Sequence, residues 1–304
     1  MTMISTGAQG AALSATVTEN ELAQIEDLRP SPARTPSGRL RVSTVLGPVI
    51  VFVGFIGLWE YFHRSGMRRW FDKPGFLLPS PVTVIDGSWN NPQVREQLID
   101  GLGWTTLAAL VGLAITIVLG TLLAMIMAQA SWLEGSFYPY LVALQAIPVL
   151  AVVPLIYSIF GGGMGSRIFV CVMISIFPIV TNTLFGLKSA EVGQHDLFTL
   201  RGASRTTRLF RLQFPAAMPS IFTGFRISAG LSVIGAVVGE QFFRTGGKPG
   251  IGVMVEQFRQ KARYPQVYAG LIVAALLGIA VFFVFGLIAK LVVGHWHESS
   301  RKSS

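Results

Sequence analysis

Apolar residues gather along this chain into six long runs: Val45–Phe62, Thr105–Ala130, Tyr138–Phe160, Ile168–Leu187, Ala216–Phe242 and Val267–Val293. A helix needs about 20 predominantly apolar residues to cross a bilayer. The pattern therefore predicts an all-α membrane protein with six transmembrane helices and both termini on one side. Three of the runs carry small residues at spacing four: Ala108, Gly112, Thr116, Gly120, Ala124 and Ala128 in the second, Ser220, Gly224, Ser228, Ser232 and Ala236 in the fifth, Gly270, Ala274, Gly278 and Gly286 in the sixth. Small residues let helices approach closely where lipid supplies no hydrophobic drive, so these faces are expected to pack on other helices. The fifth stripe holds three serines and ends at Glu240, which also makes it a candidate for a water-lined wall. Pro148, Pro154 and Pro178 fall inside the third and fourth runs and predict bends there.

Composition agrees with the pattern. Of 304 residues, 51% are hydrophobic and only 13% charged, where soluble domains carry about 25% charged residues. The first forty residues are polar, rich in Ser, Thr, Pro and Arg, and lack the apolar core of a signal peptide; residues 1–42 are expected to form a disordered tail. The net charge of +9 fits basic loops beside anionic headgroups better than nucleic acid binding. Lys and Arg divide almost evenly between the two sets of loops, 12 against 11, so charge leaves the orientation open. Cys171 is the one cysteine, and no Walker A, HExxH or CxxC sequence is present. No hydrolytic or redox site and no metal site is expected. Arg226 lies within a span and requires a partner, an aqueous face or a route to the interface. His295 and His297, two positions apart, make a poor metal pair.

One segment breaks the apolar pattern. Arg201, Arg205, Arg208 and Arg211 fall within eleven residues, between the fourth and fifth runs. At 100° per residue, Arg201, Arg205 and Arg208 share one face, and Leu200, Ala203, Thr207, Phe210 and Phe214 the opposite one. Gly202 is placed to divide this element, Ser204 to cap its second piece, and Pro215 to stop it before the fifth span. Such an element either lies on lipid headgroups or docks on a soluble partner.

The residues here carry a resemblance. Gly202-Ala203-Ser204-Arg205, then Leu209-Phe210, then Pro215-Ala216-Ala217-Met218-Pro219 resemble the signature loop of permease subunits of bacterial ABC importers, which reads EAA, three residues, G, then I-x-L-P after about nine more. Leu78-Pro79-Ser80-Pro81, Gln145-Ala146-Ile147-Pro148 with Pro154-Leu155, Phe177-Pro178-Ile179 with Asn182-Thr183, Gly239-Glu240 and Gly250-Ile251-Gly252 extend the likeness over roughly Gly47 to Gly294. The branch is similar to the nitrate/sulfonate/taurine type, which includes permeases for pyrimidine thiamine precursors and riboflavin. The run from Leu231 to Glu240 leans towards those last members. One departure stands out: the family's Glu-Ala-Ala falls on Asp196-Leu197-Phe198, a shorter acid followed by two bulky residues.

The resemblance implies a permease domain over 43–294 with a short cytoplasmic tail at 295–304. The loop would be a coupling helix docked on a cytoplasmic ATPase, with both termini cytoplasmic in the bacterial inner membrane. Its docking residues would be Asp196, Gly202, Ala203, Ser204, Arg205, Leu209, Phe210 and Pro215. Gly202 and Pro215 would set geometry, Arg205 would offer charge-assisted hydrogen bonds, and Leu209 and Phe210 the apolar anchor. Partners would be two ATPase subunits, a second copy of this chain, an extracytoplasmic solute-binding protein and the membrane, without nucleic acid. This chain would bind no cofactor and catalyse nothing, ATP being used by the partner. From polarity and position, Gln145, Asn182, Ser228, Ser232 and Glu240 are candidates for the translocation pathway. A secondary transporter would call for an intramembrane ionisable pair or an inverted repeat, and a membrane assembly protein would need no ATPase.

Overall fold

The computed structural model describes the backbone of residues 42–243 and 248–301, and side chains over 46–243 and 248–293. The tail expected over residues 1–42 lies, up to residue 41, outside the described residues, as do the side chains of His295 and His297. Contacts divide the chain into a unit ending at Phe55 and a unit from Ile56 onward. In the first unit the described residues are the opening turns of helix α1 (Val42–Tyr61), whose Ile50, Val51 and Phe52 are exposed.

The helix does not end with its apolar run. It passes through a π-helical turn, Phe62–Gly66, into α2 (Met67–Phe71). Next comes α3 (Pro81–Ser88), started by Ser80, whose Oγ accepts the Thr83 N–H at 3.2 Å. Helix α4 (Pro92–Met127) starts thirteen residues before the apolar run. Asn91 supplies the reason, its Oδ1 accepting the Val94 N–H at 3.3 Å with Pro92 following in the first turn. A start signal outranks hydropathy in setting where a helix begins.

The third run is not one straight span. Helices α5 (Ser131–Ala146) and α6 (Val149–Phe160) meet at a 99° bend. Ile147 sits there with ψ of 124°, because the ring of a following proline pushes its neighbour out of the helical region. Pro154 stays inside α6 and Pro178 inside α7 (Met164–Leu187), so of the three expected breakers only Pro148 ends a helix. Beyond α7 lie α8 (Val192–Leu200), α9 (Arg205–Arg208), a π turn at Leu209–Gln213, α10 (Phe214–Phe242), α11 (Ile251–Gln260) and α12 (Tyr264–Arg301). Among the described residues five helices are long and apolar enough to cross a membrane, or six if the bent pair is one span.

Helix α10 is the hub, with α7, α12 and α4 packed around it. The small-residue stripes of α4 and α10 form seams, while Ala274 and Gly278 of the α12 stripe are only half-buried. Ala108, Gly112, Thr116, Gly120 and Ala124 of α4 are buried, and so are Gly224, Ser228, Ser232 and Ala236 of α10. A Cβ on Gly235 would sit 2.8 Å from Cys171 Cα, and one on Gly224 3.0 Å from the Pro178 carbonyl; only glycine permits these crossings. The serines fasten the seams. Ser228 Oγ donates to the Ser175 carbonyl at 2.7 Å and Ser232 Oγ to the Ala109 carbonyl at 2.5 Å. The polar stripe of α10 is thus a helix seam rather than a water-lined wall, because buried hydroxyls bond facing carbonyls. Large apolar side chains such as Phe283, Leu287 and Leu291 are exposed on the outer surface of α12, as expected where lipid is the solvent.

Candidate functional site

Two arrangements stand out, at opposite ends of α10. The first is the basic segment. Helix α8 ends at Leu200 with Arg201 as its C-cap, and Gly202 follows with φ of +65°. The Gly202 N–H donates to the Thr199 carbonyl and the Ala203 N–H to the Phe198 carbonyl, each at 3.0 Å. That is the paired hydrogen bonding of a Schellman ending, which a left-handed glycine completes without strain. The chain restarts two residues later. Ser204 accepts the Thr207 N–H at 3.2 Å and begins α9. Arg208 Nη2 reaches back to Thr199 Oγ1 at 2.9 Å, so the two pieces form a braced corner.

Pro215 does not stop this element. The helical run is continuous from Arg205 to Phe242. Proline in a helix interior lacks an N–H and crowds the carbonyl four residues earlier, and here the π turn at Leu209–Gln213 loosens the helix just ahead of it. The corner is therefore joined to the fifth span without a loop between them.

The docking candidates divide by exposure. Asp196, Gly202, Ser204, Arg205 and Phe210 are exposed, Ala203 and Pro215 half-buried. Leu209, expected as an apolar anchor, is turned inward and packs with Leu187, Ala217 and Ile221. The anchor role came from the resemblance, and the π turn that begins at Leu209 accompanies its burial. Leu200 is 87% exposed, and Leu197 and Val192 of the same helix are exposed as well. Large aliphatic residues on a short basic element are the sequence signal for this. Leu209→Ala is expected to destabilise the chain by about 2–4 kcal/mol, whereas Phe210→Ala should change stability by less than about 1 kcal/mol. Thermal unfolding of the purified variants checks the contrast. Lys188, at the end of α7, pairs with Glu134 at the start of α5, which puts those two loops at one end of the bundle.

The second arrangement lies at the far end of α10. Glu240 is fully buried. Its Oε2 accepts hydrogen bonds from the Gly252 N–H and from Thr105 Oγ1, each at 2.9 Å. Thr105 Oγ1 also accepts the Ile251 N–H at 2.9 Å and shares its proton with the Gly101 carbonyl at 3.0 Å. Arg167, also fully buried, donates to the carbonyls of Phe243 and Lys248 at 2.9 and 3.1 Å. A carboxylate and a guanidinium thus clasp the start of α11 to Thr105 of α4, the start of α7 and the end of α10. Neither Thr105 nor Arg167 emerges from reading motifs. Arg167 directly precedes the fourth run and Glu240 nearly ends the fifth, so antiparallel neighbours would set them level.

The pathway candidates are scattered. Ser228, Ser232 and Glu240 are spent in helix packing. Asn182 is half-buried, its Nδ2 donating to the Pro178 carbonyl at 2.8 Å, and Gln145 is exposed near the α5–α6 bend. Among the described residues no cluster of His, Cys, Asp or Glu is set to hold a metal ion.

Residues 116–296 match the family model described as binding-protein-dependent transport system inner membrane component. The chain is similar to the formylaminopyrimidine transport permease protein of Halalkalibacterium halodurans, 36% identical over 238 residues, covering 78% of this chain and 90% of that protein. It is similar to the riboflavin transport system permease protein of Chloroflexus aurantiacus, 33% identical over 231 residues, covering 74% and 82%. The nitrate import permease protein of Synechocystis sp. is 27% identical over 276 residues, covering 88% and 96%. In fold, the chain resembles an amino acid ABC transporter solved by crystallography, with a TM-score of 0.50 at 16% identity, over 66% of this chain and 94% of that one.

Proposed function

We propose, from the premise that this chain belongs to the binding-protein-dependent transport system inner membrane component family, that its segment 192–213 is the element through which an ATPase subunit drives it. The chain is a multi-pass importer permease. Hydrolysis resides in a separate subunit, and this chain supplies the membrane path. The observation that carries the docking reading is the braced corner at Gly202. It presents exposed Leu200, Arg205 and Phe210, and it continues as helix into α10.

That continuity supports a mechanism. A displacement of the corner passes along a rigid helix rather than through a slack loop. Helix α10 is the packing hub, so the bundle moves with it and access switches by rigid-body rocking. Two ATPase subunits would act on two copies of this chain, with the path between the copies, and Gln145 and Asn182 are the polar groups left to face it. Both termini and the corner would then be cytoplasmic. A solute-binding protein would deliver the substrate from outside. We assign a small nitrogen heterocycle as substrate class, on the relatives at 36% and 33% identity that carry a formylaminopyrimidine and riboflavin.

Native co-purification tests this reading. The tagged chain, extracted from its own host in mild detergent, should bring an ATPase subunit, and Leu200→Ser with Phe210→Ala should release that subunit while the chain stays folded. A chain that repeatedly comes alone, in more than one detergent, overturns it.

A further inference from the structure

Arg226 is the one arginine well inside a transmembrane run, and the way it is held points outward. Its guanidinium carbon lies 4.1 Å from the centre of the Phe282 ring. Its Nε fits against Gly286, where a Cβ would come within 3.2 Å, and is buried with no hydrogen-bond partner. A ring face satisfies part of a cation's demand, but no ion pair joins Arg226 to an acid among the described residues. It lines a groove of about 300 Å³ between α10 and α12, together with Thr223 and Lys290. The groove has two cations and no carboxylate on its walls. An uncompensated charge within a span is costly, and no acid among the described residues compensates this one.

A second observation says what kind of anion suits these cations. From Arg226 the same two helices border a larger groove of about 750 Å³, running from Ile227 to Val238 on α10 and from Phe283 back to Ala274 on α12. Every residue lining it is apolar. Twelve residues of helix span about 17 Å, close to half the roughly 30 Å thickness of the hydrocarbon core. The helices are antiparallel, so the cationic end lies towards the Arg201–Arg211 side and the apolar groove runs from there across the middle of the two spans. A free anion would need the first groove and not the second. A carboxylate on another protein would come without a chain to fill the second. A headgroup phosphate joined to an acyl chain fits both.

We infer that the α10–α12 face binds an anionic phospholipid. Its phosphate sits between Arg226 and Lys290, and one acyl chain lies in the groove past Ile234 and Gly278. Arg226 and Lys290 together select net negative headgroups, while Ile227, Ile234 and Ile279 supply the fit to the chain. Basic recesses between transmembrane helices favour anionic lipid over zwitterionic lipid.

The test is native mass spectrometry of the purified transporter complex, exchanged into mixed phosphatidylglycerol and phosphatidylcholine. The expected result is one retained phosphatidylglycerol per chain, with a preference of roughly tenfold or more over phosphatidylcholine. Lys290→Gln is exposed and should not disturb the fold, and Arg226→Gln removes the deeper cation; each should weaken the preference severalfold. Ile234→Trp fills the groove without altering charge and should expel the lipid altogether. Equal retention of both lipids, or a phosphatidylglycerol preference unchanged in both charge variants, overturns the inference. So does inorganic phosphate that binds at millimolar concentration and displaces no lipid. A zero-length carbodiimide cross-link from Lys290 to a neighbouring subunit would assign the cations to a protein carboxylate and overturn it as well.

Discussion

Gly202→Asp is expected to leave the chain inserted and folded and to reduce ATP-driven uptake by about tenfold or more, the equivalent of about 1.4 kcal/mol of lost coupling. The expectation rests on where the glycine stands. Its φ is +65°, and a Cβ there would have nothing within 4 Å. A side chain therefore meets no neighbour in its own chain. The backbone strain is about 1–2 kcal/mol for an ordinary residue and less for aspartate, whose short polar side chain suits the left-handed region. The folded state can bear that cost. What changes is the outer surface of the corner, where a carboxylate would project between Leu200 and Arg205, into the contact a partner must make. Uptake into proteoliposomes holding the complete transporter, set beside membrane insertion of the same variant, separates the two effects. Gly202→Ala carries the strain without the charge and should be the milder lesion. Wild-type uptake by the aspartate variant would remove this corner from the coupling path.

Glu240→Ala should act in the opposite way, through stability. The buried carboxylate accepts from the Gly252 N–H and Thr105 Oγ1. Removing it leaves both donors buried without their acceptor, a loss of about 1–3 kcal/mol for each. Glu240→Gln keeps an acceptor at the same place and should cost less. The melting temperature in detergent should fall steeply for the alanine variant, and proteolysis should open the junction near Gly250 first, since the clasp holds the start of α11. A variant that melts within a degree of wild type would show that packing alone secures α11.

These two sites differ in how far they could be read from the residues. The corner is local. A glycine at a helix end, a serine two residues on and the arginines that follow are signals spanning a few positions, and Gly202 and Ser204 take the conformations such signals specify. Two expectations failed beside the π turn at Leu209–Gln213: Leu209 is turned inward, and the helix runs on through Pro215. The clasp is not local. Thr105, Arg167, Glu240 and Gly252 come from four separate stretches, and nothing in the spacing of any one names the others.

The same division runs through the whole molecule. Runs of about twenty apolar residues determined that the chain is all-α and membrane-embedded, because backbone groups in hydrocarbon must bond within their own segment. Small residues at spacing four in the second and fifth runs determined which faces of those helices would be seams, because close approach needs small side chains wherever the partner lies. Tertiary structure alone decided the pairings: that α10 is the hub, that its Ser228 and Ser232 fasten seams, that Pro148 ends a helix while Pro154 and Pro178 stay inside theirs, and that Arg226 rests on Phe282. Periodicity reports how each helix is built, but the partner of a buried polar group depends on which helices meet there, and that is settled only when they pack.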